Sequence, residues 1–209
     1  YMVGKWHLGK SPDQIPAARG FERDFSLLDG AGSYWGDMKN VTAIAPKLVF
    51  TEDGRYLTEL PNDYYATKTY TDKLIGFIDD NKADGKPFFA YVSHQAPHDP
   101  YHLPPEWRSR HVGEYDKGWD AVRQERLKRQ VELGIMPAGT ELAERMWFVP
   151  DPIVLAPASR YILGKKMELY AGMVENMDFH VGRLIDHLKQ IGEYENTIFI
   201  VFGDNGAEG

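Results

Sequence analysis

Two groups of basic side chains and one carboxylate–amide pair are the parts of this sequence best suited to chemistry. Lys5 and His7 lie two residues apart, so an extended strand would point both side chains the same way. A lysine beside a histidine suits an oxyanion such as sulfate or phosphate. The glycine and Ser/Thr spacing of a phosphate-binding P-loop is missing around them. Taken alone, the pair fits either an anion site or a surface feature without function.

Three histidines, His94, His98 and His102, fall within nine residues of a proline-containing segment. A single histidine is more often structural, but three together favour proton transfer or contact with an anion. His98 lies between Pro97 and the Asp99-Pro100 pair, which restricts the backbone and suits a side chain that must hold one orientation. We expect His102 to take no part in the chemistry.

Asp204 and Asn205 place a carboxylate and an amide oxygen side by side. Hard divalent cations such as Ca²⁺ or Mg²⁺ take such oxygen ligands. The alternative is that the Asn-Gly pair at 205–206 marks a β-hairpin turn. The position directly after an apolar segment favours metal ligation.

Short apolar runs at 87–93 and 197–202 predict strands buried on both faces, which is typical of parallel sheets flanked by helices. The first run leads into His94 and the second into Asp204. In open α/β sheets, ligands bind outside the carboxyl ends of the strands. The sequence therefore predicts that the histidines and the carboxylate–amide pair meet at one edge of a sheet.

Helical spacing of apolar residues predicts helices over 63–81 and 165–190, and a charged helix near 120–133. Residues 1–62 indicate loops with short strands, and 105–164 are interpreted as an insertion. The predicted fold class is α/β, a mainly parallel sheet flanked by helices and incomplete at both ends. The helix over 165–190 is expected to bury one apolar stripe, formed by Tyr170, Met173, Val174, Met177, Val181, Leu184, Ile185 and Leu188.

Composition excludes several classes of protein. The formal charge of −7 argues against a nucleic-acid partner, because phosphate backbones are bound by an excess of Lys and Arg. The apolar runs are far shorter than the roughly 20 residues that span a bilayer, so no membrane span is expected. The chain contains no cysteine, which excludes disulfides and thiolate metal sites.

Four motifs in a fixed order resemble the sulfatase family of the alkaline-phosphatase superfamily. They are Gly4-Lys5-Trp6-His7-Leu8-Gly9, Ala96-Pro97-His98-Asp99-Pro100, the helix from Tyr170 to Leu184, and Phe202-Gly203-Asp204-Asn205-Gly206. The stretch 115–137 is similar to an insert of larger bacterial arylsulfatases. The resemblance implies that residues 1–209 are part of a single sulfatase catalytic domain, with 105–164 as the insertion.

The resemblance implies a sulfuric ester hydrolase acting on a small-molecule or glycan sulfate ester. In this family a Cys or Ser is converted to formylglycine, whose hydrate attacks sulfur. By motif, Lys5 would contact the sulfate, His7 would act as a base and His98 would protonate the leaving oxygen. Asp204 and Asn205 would bind the metal, Ca²⁺ or Mg²⁺. We expect His94 to lie behind these groups without touching the substrate.

The sequence departs from the family pattern in one important respect. It contains neither a cysteine nor the Ser-x-Pro-x-Arg form of the formylglycine motif, so the nucleophile is expected outside the chain and these residues alone are expected to be inactive. Two alternatives remain open. One is a phosphodiesterase or phosphonate monoester hydrolase of the same superfamily, and the other is a non-catalytic sulfatase-like binding protein.

Overall fold

The computed structural model describes residues 1–41, 47–151 and 154–203. Its centre is a five-stranded sheet with the order β4-β3-β2-β1-β5. The strands are β1 (Met2–Lys5), β2 (Asp24–Leu27), β3 (Phe50–Glu52), β4 (Arg55–Tyr56) and β5 (Tyr91–Ser93). The prediction of short strands and loops in the first 62 residues is confirmed.

The sheet is parallel on the side that carries the candidate site. Strand β1 pairs in parallel with both β2 and β5, while β3 and β4 continue the sheet in antiparallel fashion beyond β2. Gly4 makes the β1–β5 approach possible, since a Cβ at this position would lie 2.0 Å from the carbonyl oxygen of Ser93. Its φ of +104° also favours glycine.

The described residues form three α-helices: α1 (Ala66–Asn81), α2 (Trp119–Glu132) and α3 (Pro157–Gln190). Helix α1 packs between the sheet and α3, and its apolar spacing of four buries Tyr70, Leu74 and Ile78. Short 3-10 segments lie at Pro16–Arg19, Lys82–Asp84, Pro105–Trp107 and Tyr194–Asn196. The α/β prediction and all three helices are confirmed, although α3 begins earlier than predicted, at Pro157, a residue favoured in the first turn.

Two strand predictions were wrong in extent or in burial. Strand β5 covers only the last three residues of the run over 87–93, and Phe89 and Tyr91 are 72% and 38% exposed. Strand β5 lies at the edge of the sheet, so it is not covered on both faces. The run over 197–202 forms no strand, because it pairs with none of the strands in the described residues, and Ile198 is 90% exposed.

The buried face of α3 differs from the predicted apolar stripe. Met173 and Leu188 are buried as predicted, but Val174 is 37% exposed. Much of the buried face is instead small or polar, formed by Glu168, Gly172, Asn176 and His180 at intervals of four. Gly172 allows α3 to approach Leu103 closely, because a Cβ at this position would lie 2.5 Å from a methyl group of Leu103. Periodicity identified the helix but not which of its faces is buried.

The region 105–164 contains α2, the segment Pro105–Trp107 and the first turns of α3, and its described residues contribute no strand to the sheet. Its interpretation as an insertion stays a prediction. In the part of the chain that the structure describes, no helix is long and apolar enough to cross a membrane.

Candidate active site at the carboxyl edge of the sheet

The parallel part of the sheet brings three loops to one edge. Strands β1, β2 and β5 run in the same direction, so their carboxyl ends lie side by side. His7 follows β1 by two residues, Asp29 follows β2 by two, and the segment with His98 leaves β5. This is the edge at which α/β sheets bind ligands.

The backbone turns sharply between Lys5 and His7. Strand β1 ends at Lys5, and His7 has a φ of 51°, in the left-handed region. The two side chains therefore do not share one extended strand, and the strand-alternation argument for their direction was wrong. Both side chains lack a hydrogen-bond or ion-pair partner within the described part of the chain, which leaves the cation and the imidazole available to an external anion.

The imidazole of His7 rests against Gly30 in the loop after β2. A Cβ at Gly30 would lie 2.4–2.8 Å from three atoms of the His7 ring, so only glycine admits the ring in this position. The neighbouring Trp6 fixes the start of the loop. Its backbone N–H donates to the Leu27 carbonyl at 2.7 Å, and its indole N–H donates to the Gln14 carbonyl at 2.9 Å.

The His98 loop is held from several sides. The backbone N–H of His98 donates to the carbonyl of Gln95 at 3.0 Å, and its carbonyl accepts from the Tyr34 hydroxyl at 2.7 Å. The side chain of Gln95 donates to the carbonyl of Gly32 at 2.6 Å. Nδ1 of His98 contacts the carbonyl oxygen of Asp99 at 2.6 Å and its carboxylate at 2.9 Å. These contacts orient the imidazole at the same sheet edge as Lys5 and His7.

Aromatic rings support this loop. Tyr34 is buried, and burial raises the pKa of its phenol well above the ordinary value, so the hydroxyl remains a donor to His98. Nδ1 of His102 lies 3.4 Å from the backbone nitrogen of Tyr34, and its ring stacks on Trp35 at a centroid distance of 6.2 Å. Burial lowers the pKa of His102. The structure places His102 within this aromatic support.

His94 comes directly after β5, and both of its ring nitrogens are buried. Its ring lies 6.4 Å from that of Tyr70 on α1, and it interacts electrostatically with His180 of α3. Burial, and to a lesser extent His180, lowers the pKa of His94 to about 4, so the side chain is neutral near pH 7. Neither ring nitrogen has a hydrogen-bond partner among the described residues.

Two parts of the site were missed from the sequence: the Gly30 contact, and an ion pair between Lys10 and buried Asp29. The Asp29-Gly30 pair after an apolar segment is the signal that could have drawn attention to this loop. Its partners are distant in sequence, so no local pattern would have named them.

The predicted metal ligands cannot be placed. Asp204 and Asn205 lie outside the described residues. Among residues 1–41, 47–151 and 154–203, no group of three or more His, Asp or Glu side chains could hold a metal ion. Ligation by Asp204 and Asn205 stays a prediction.

Comparisons with known proteins identify the family. The sulfatase family model matches residues 1–209. The chain is 36% identical to an uncharacterized sulfatase of Schizosaccharomyces pombe and 36% identical to an arylsulfatase of Klebsiella aerogenes. The matches cover 100% and 99% of this chain, but only 38% and 44% of those relatives.

A similar fold occurs in the crystal structure of Ps i-CgsB in complex with k-i-k-neocarrahexaose. The TM-score is 0.58 at 22% sequence identity, with 93% of this chain and 34% of that chain covered. The α/β architecture agrees with this structural match. The chain belongs to the sulfatase family.

Proposed function

We propose that the protein hydrolyses a sulfate ester in the manner of an arylsulfatase. The observation that carries this proposal is the position of Lys5, His7 and the His98 loop at one carboxyl edge of the sheet. A cation, an exposed imidazole and an oriented imidazole are the groups that an anionic ester with a poor leaving group requires.

Lys5 would bind the sulfate and offset the charge that builds on its oxygens. It ends β1, has no ion-pair partner among the described residues, and so keeps its charge available to a ligand. His7 would accept the proton when sulfate is released. Its ring is held by packing on Gly30 rather than by a hydrogen bond within the described chain.

His98 would donate a proton or a hydrogen bond to the leaving oxygen. Its Nδ1 contacts to Asp99 and the contact of its carbonyl with Tyr34 fix the ring before substrate binds. Preorganisation of this kind matters because a proton must be delivered along one direction in the transition state.

The leaving group provides a sharp test of the His98 role. In the protein expressed with its natural flanking sequence, His98→Ala should lower kcat for an alkyl sulfate by about 100-fold or more. The loss for 4-nitrophenyl sulfate should be less than about tenfold, because nitrophenolate leaves without protonation. Equal losses for both substrates would contradict a role in leaving-group protonation. His111→Ala is the matched control, since His111 pairs with Glu114 and Glu175 away from this edge.

The expected nucleophile, a formylglycine, and a Ca²⁺ ion (or Mg²⁺ in its place) would supply attack at sulfur and neutralisation of charge. Asp204 and Asn205 would give the metal one carboxylate and one amide oxygen. Asp204→Ala should weaken Ca²⁺ binding by the protein at least about tenfold in calorimetry. Unchanged Ca²⁺ affinity in that variant would remove Asp204 from the metal site. Asp186→Ala, in exposed α3 surface, is the control.

The substrate class can be separated by direct comparison. Turnover of 4-nitrophenyl sulfate, a sulfated oligosaccharide and bis(4-nitrophenyl) phosphate should show preference for a sulfate ester, aryl or glycan. The glycan complex of the related fold, with neocarrahexaose, supports including an oligosaccharide. Preference for the phosphodiester would favour the phosphodiesterase alternative. Absence of any turnover, with ligand binding retained, would favour a binding protein.

A further inference from the structure

A buried carboxylate that the proposed chemistry does not use, Asp29, lies at the end of β2 beside the candidate site. One of its oxygens, Oδ1, is paired with Nζ of Lys10. The other, Oδ2, accepts from the backbone N–H of Val49 at 2.8 Å. The backbone of Leu28 donates to the Val49 carbonyl at 2.9 Å, so this carboxylate is attached to the frame of the sheet.

The ion pair connects the two loops that meet at the His7 ring. Lys10 lies three residues after His7 in the loop that follows β1. Asp29 immediately precedes Gly30, against which the His7 imidazole rests. The pair therefore joins the loop that carries the imidazole to the loop that supports it.

The direction of the His7 ring depends on how these two loops sit together. No hydrogen bond from a described residue holds the ring, its backbone is in the left-handed region, and the side chain is exposed. Packing on Gly30 is the contact that orients it. A shift of one loop against the other would turn the imidazole, even if both loops remained folded.

A contribution to folding stability does not by itself explain the Lys10–Asp29 ion pair. Asp29 is only 7% exposed, but the Lys10 side chain is 44% exposed, and ion pairs with a solvent-exposed partner contribute little to the free energy of unfolding. Asp29 already has a backbone partner in Val49. The specific contribution of Lys10 is the connection between the two loops.

We propose that Asp29 and Lys10 are positioning residues, whose ion pair sets the direction of the His7 imidazole. This inference rests on the proposed role of His7 in sulfate ester hydrolysis.

Matched variants of the protein with its natural flanking sequence test the idea. Asp29→Asn keeps the size of the side chain and its acceptor for Val49 but removes the ion pair, and should lower kcat about tenfold with KM changed less than about twofold. Lys10→Met should have a similar effect and Lys10→Arg should restore activity. The kcat of the double variant Asp29→Asn/Lys10→Met should fall no further than that of either single variant, because each of these changes breaks the same ion pair.

The control is a second lysine–carboxylate ion pair, Lys73 with Glu52 of β3, near the opposite edge of the sheet. Glu52→Gln and Lys73→Met should leave kcat unchanged. Gly30→Ala displaces the ring directly and should reproduce the kcat loss of Asp29→Asn.

A readout without turnover separates this inference from the proposed function. In protein labelled at histidine with ¹³C, the ring resonance of His7 is identified by its loss in His7→Gln. It should move or broaden in Asp29→Asn and stay in place in Glu52→Gln. An unmoved His7 resonance in Asp29→Asn would overturn the inference, whether or not kcat or the melting temperature falls. If the protein hydrolyses no sulfate ester, the proposed function fails, and the resonance still decides the positioning role.

Discussion

Gly4 and Gly20 both have a positive φ but have very different surroundings. Their φ angles are +104° and +99°. A Cβ at Gly4 would strike the carbonyl of Ser93 at 2.0 Å, while a Cβ at Gly20 would meet nothing within 4 Å. Comparing the two positions separates backbone strain from steric collision in the sheet that carries the site.

Gly4→Ala should lower the free energy of unfolding by about 3 kcal/mol or more, because the strain of an alanine at positive φ is added to a clash between β1 and β5. Gly20→Ala should cost about 1–2 kcal/mol, from strain alone. Urea denaturation of both variants measures the difference. Equal losses would mean that β1 and β5 are not packed this closely.

At the scale of elements, the contact between the end of β5, α1 and α3 contains two histidines that are held in neutral form. Burial lowers the pKa of both His94 and His180 to about 4. The groups around them are Tyr70, the neighbouring Arg183, and Asp72 with Lys68 on α1. Asn176, one turn before His180 on α3, is buried as well, and its side-chain atoms have no partner in the described residues.

This contact should make the protein sensitive to acid. An unfolded histidine titrates near 6.5, so below that pH the unfolded state binds more protons than the folded state. The contribution of the two neutral histidines to the free energy of unfolding is therefore complete above pH 6.5. It is lost as the pH falls towards 4, by up to about 1.4 kcal/mol per pH unit for each histidine.

Urea denaturation at pH 7 and pH 5 measures this loss. His94→Leu, which cannot titrate, should show about half of the histidine-linked loss. Between pH 7 and pH 8, these histidines should change the free energy of unfolding of neither the wild type nor His94→Leu. The same pH dependence in wild type and variant between pH 7 and pH 5 would show that His94 is not held neutral by burial.

At the scale of the whole molecule, one surface stands out by its apolar character. Ile198, Ile200, Val201 and Phe202 are each at least 70% exposed. Strand β5 pairs with β1 on one side, and on its other side it has no partner among the described strands. Exposed apolar residues and an open strand edge each favour association between chains.

Expressed by itself, the 209-residue chain should associate in a concentration-dependent way, measured by sedimentation velocity. Ile200→Lys with Phe202→Lys should reduce this association, because charged groups replace two of the exposed apolar side chains. Val112→Lys replaces an apolar residue of similar exposure elsewhere and should have little effect. A monomeric wild-type chain would contradict the expectation.

The features of this protein that depend on neighbouring residues in the chain could be predicted from its sequence. Helices α1, α2 and α3 follow from apolar spacing and charge, which act over one or two turns of chain. The position of His98 after the end of a strand follows from the apolar run that precedes it, and ligand sites of α/β sheets lie at such strand ends. That Lys5 and His7 lie at the same edge was not predicted, because it depends on the parallel pairing of β1 with β5. The family follows from the order of the four motifs.

Tertiary structure decided what depends on residues far apart in the chain. It placed the His7 ring against Gly30, paired Lys10 with Asp29, and set the His94 ring near Tyr70 of α1 and His180 of α3. It also left β5 at an edge, although its apolar sequence suits a central strand. Sequence patterns record what a residue prefers beside its neighbours in the chain. Which side chain meets it across the sheet is fixed only when distant segments pack, and that packing sets the orientation and pKa of the groups in this molecule.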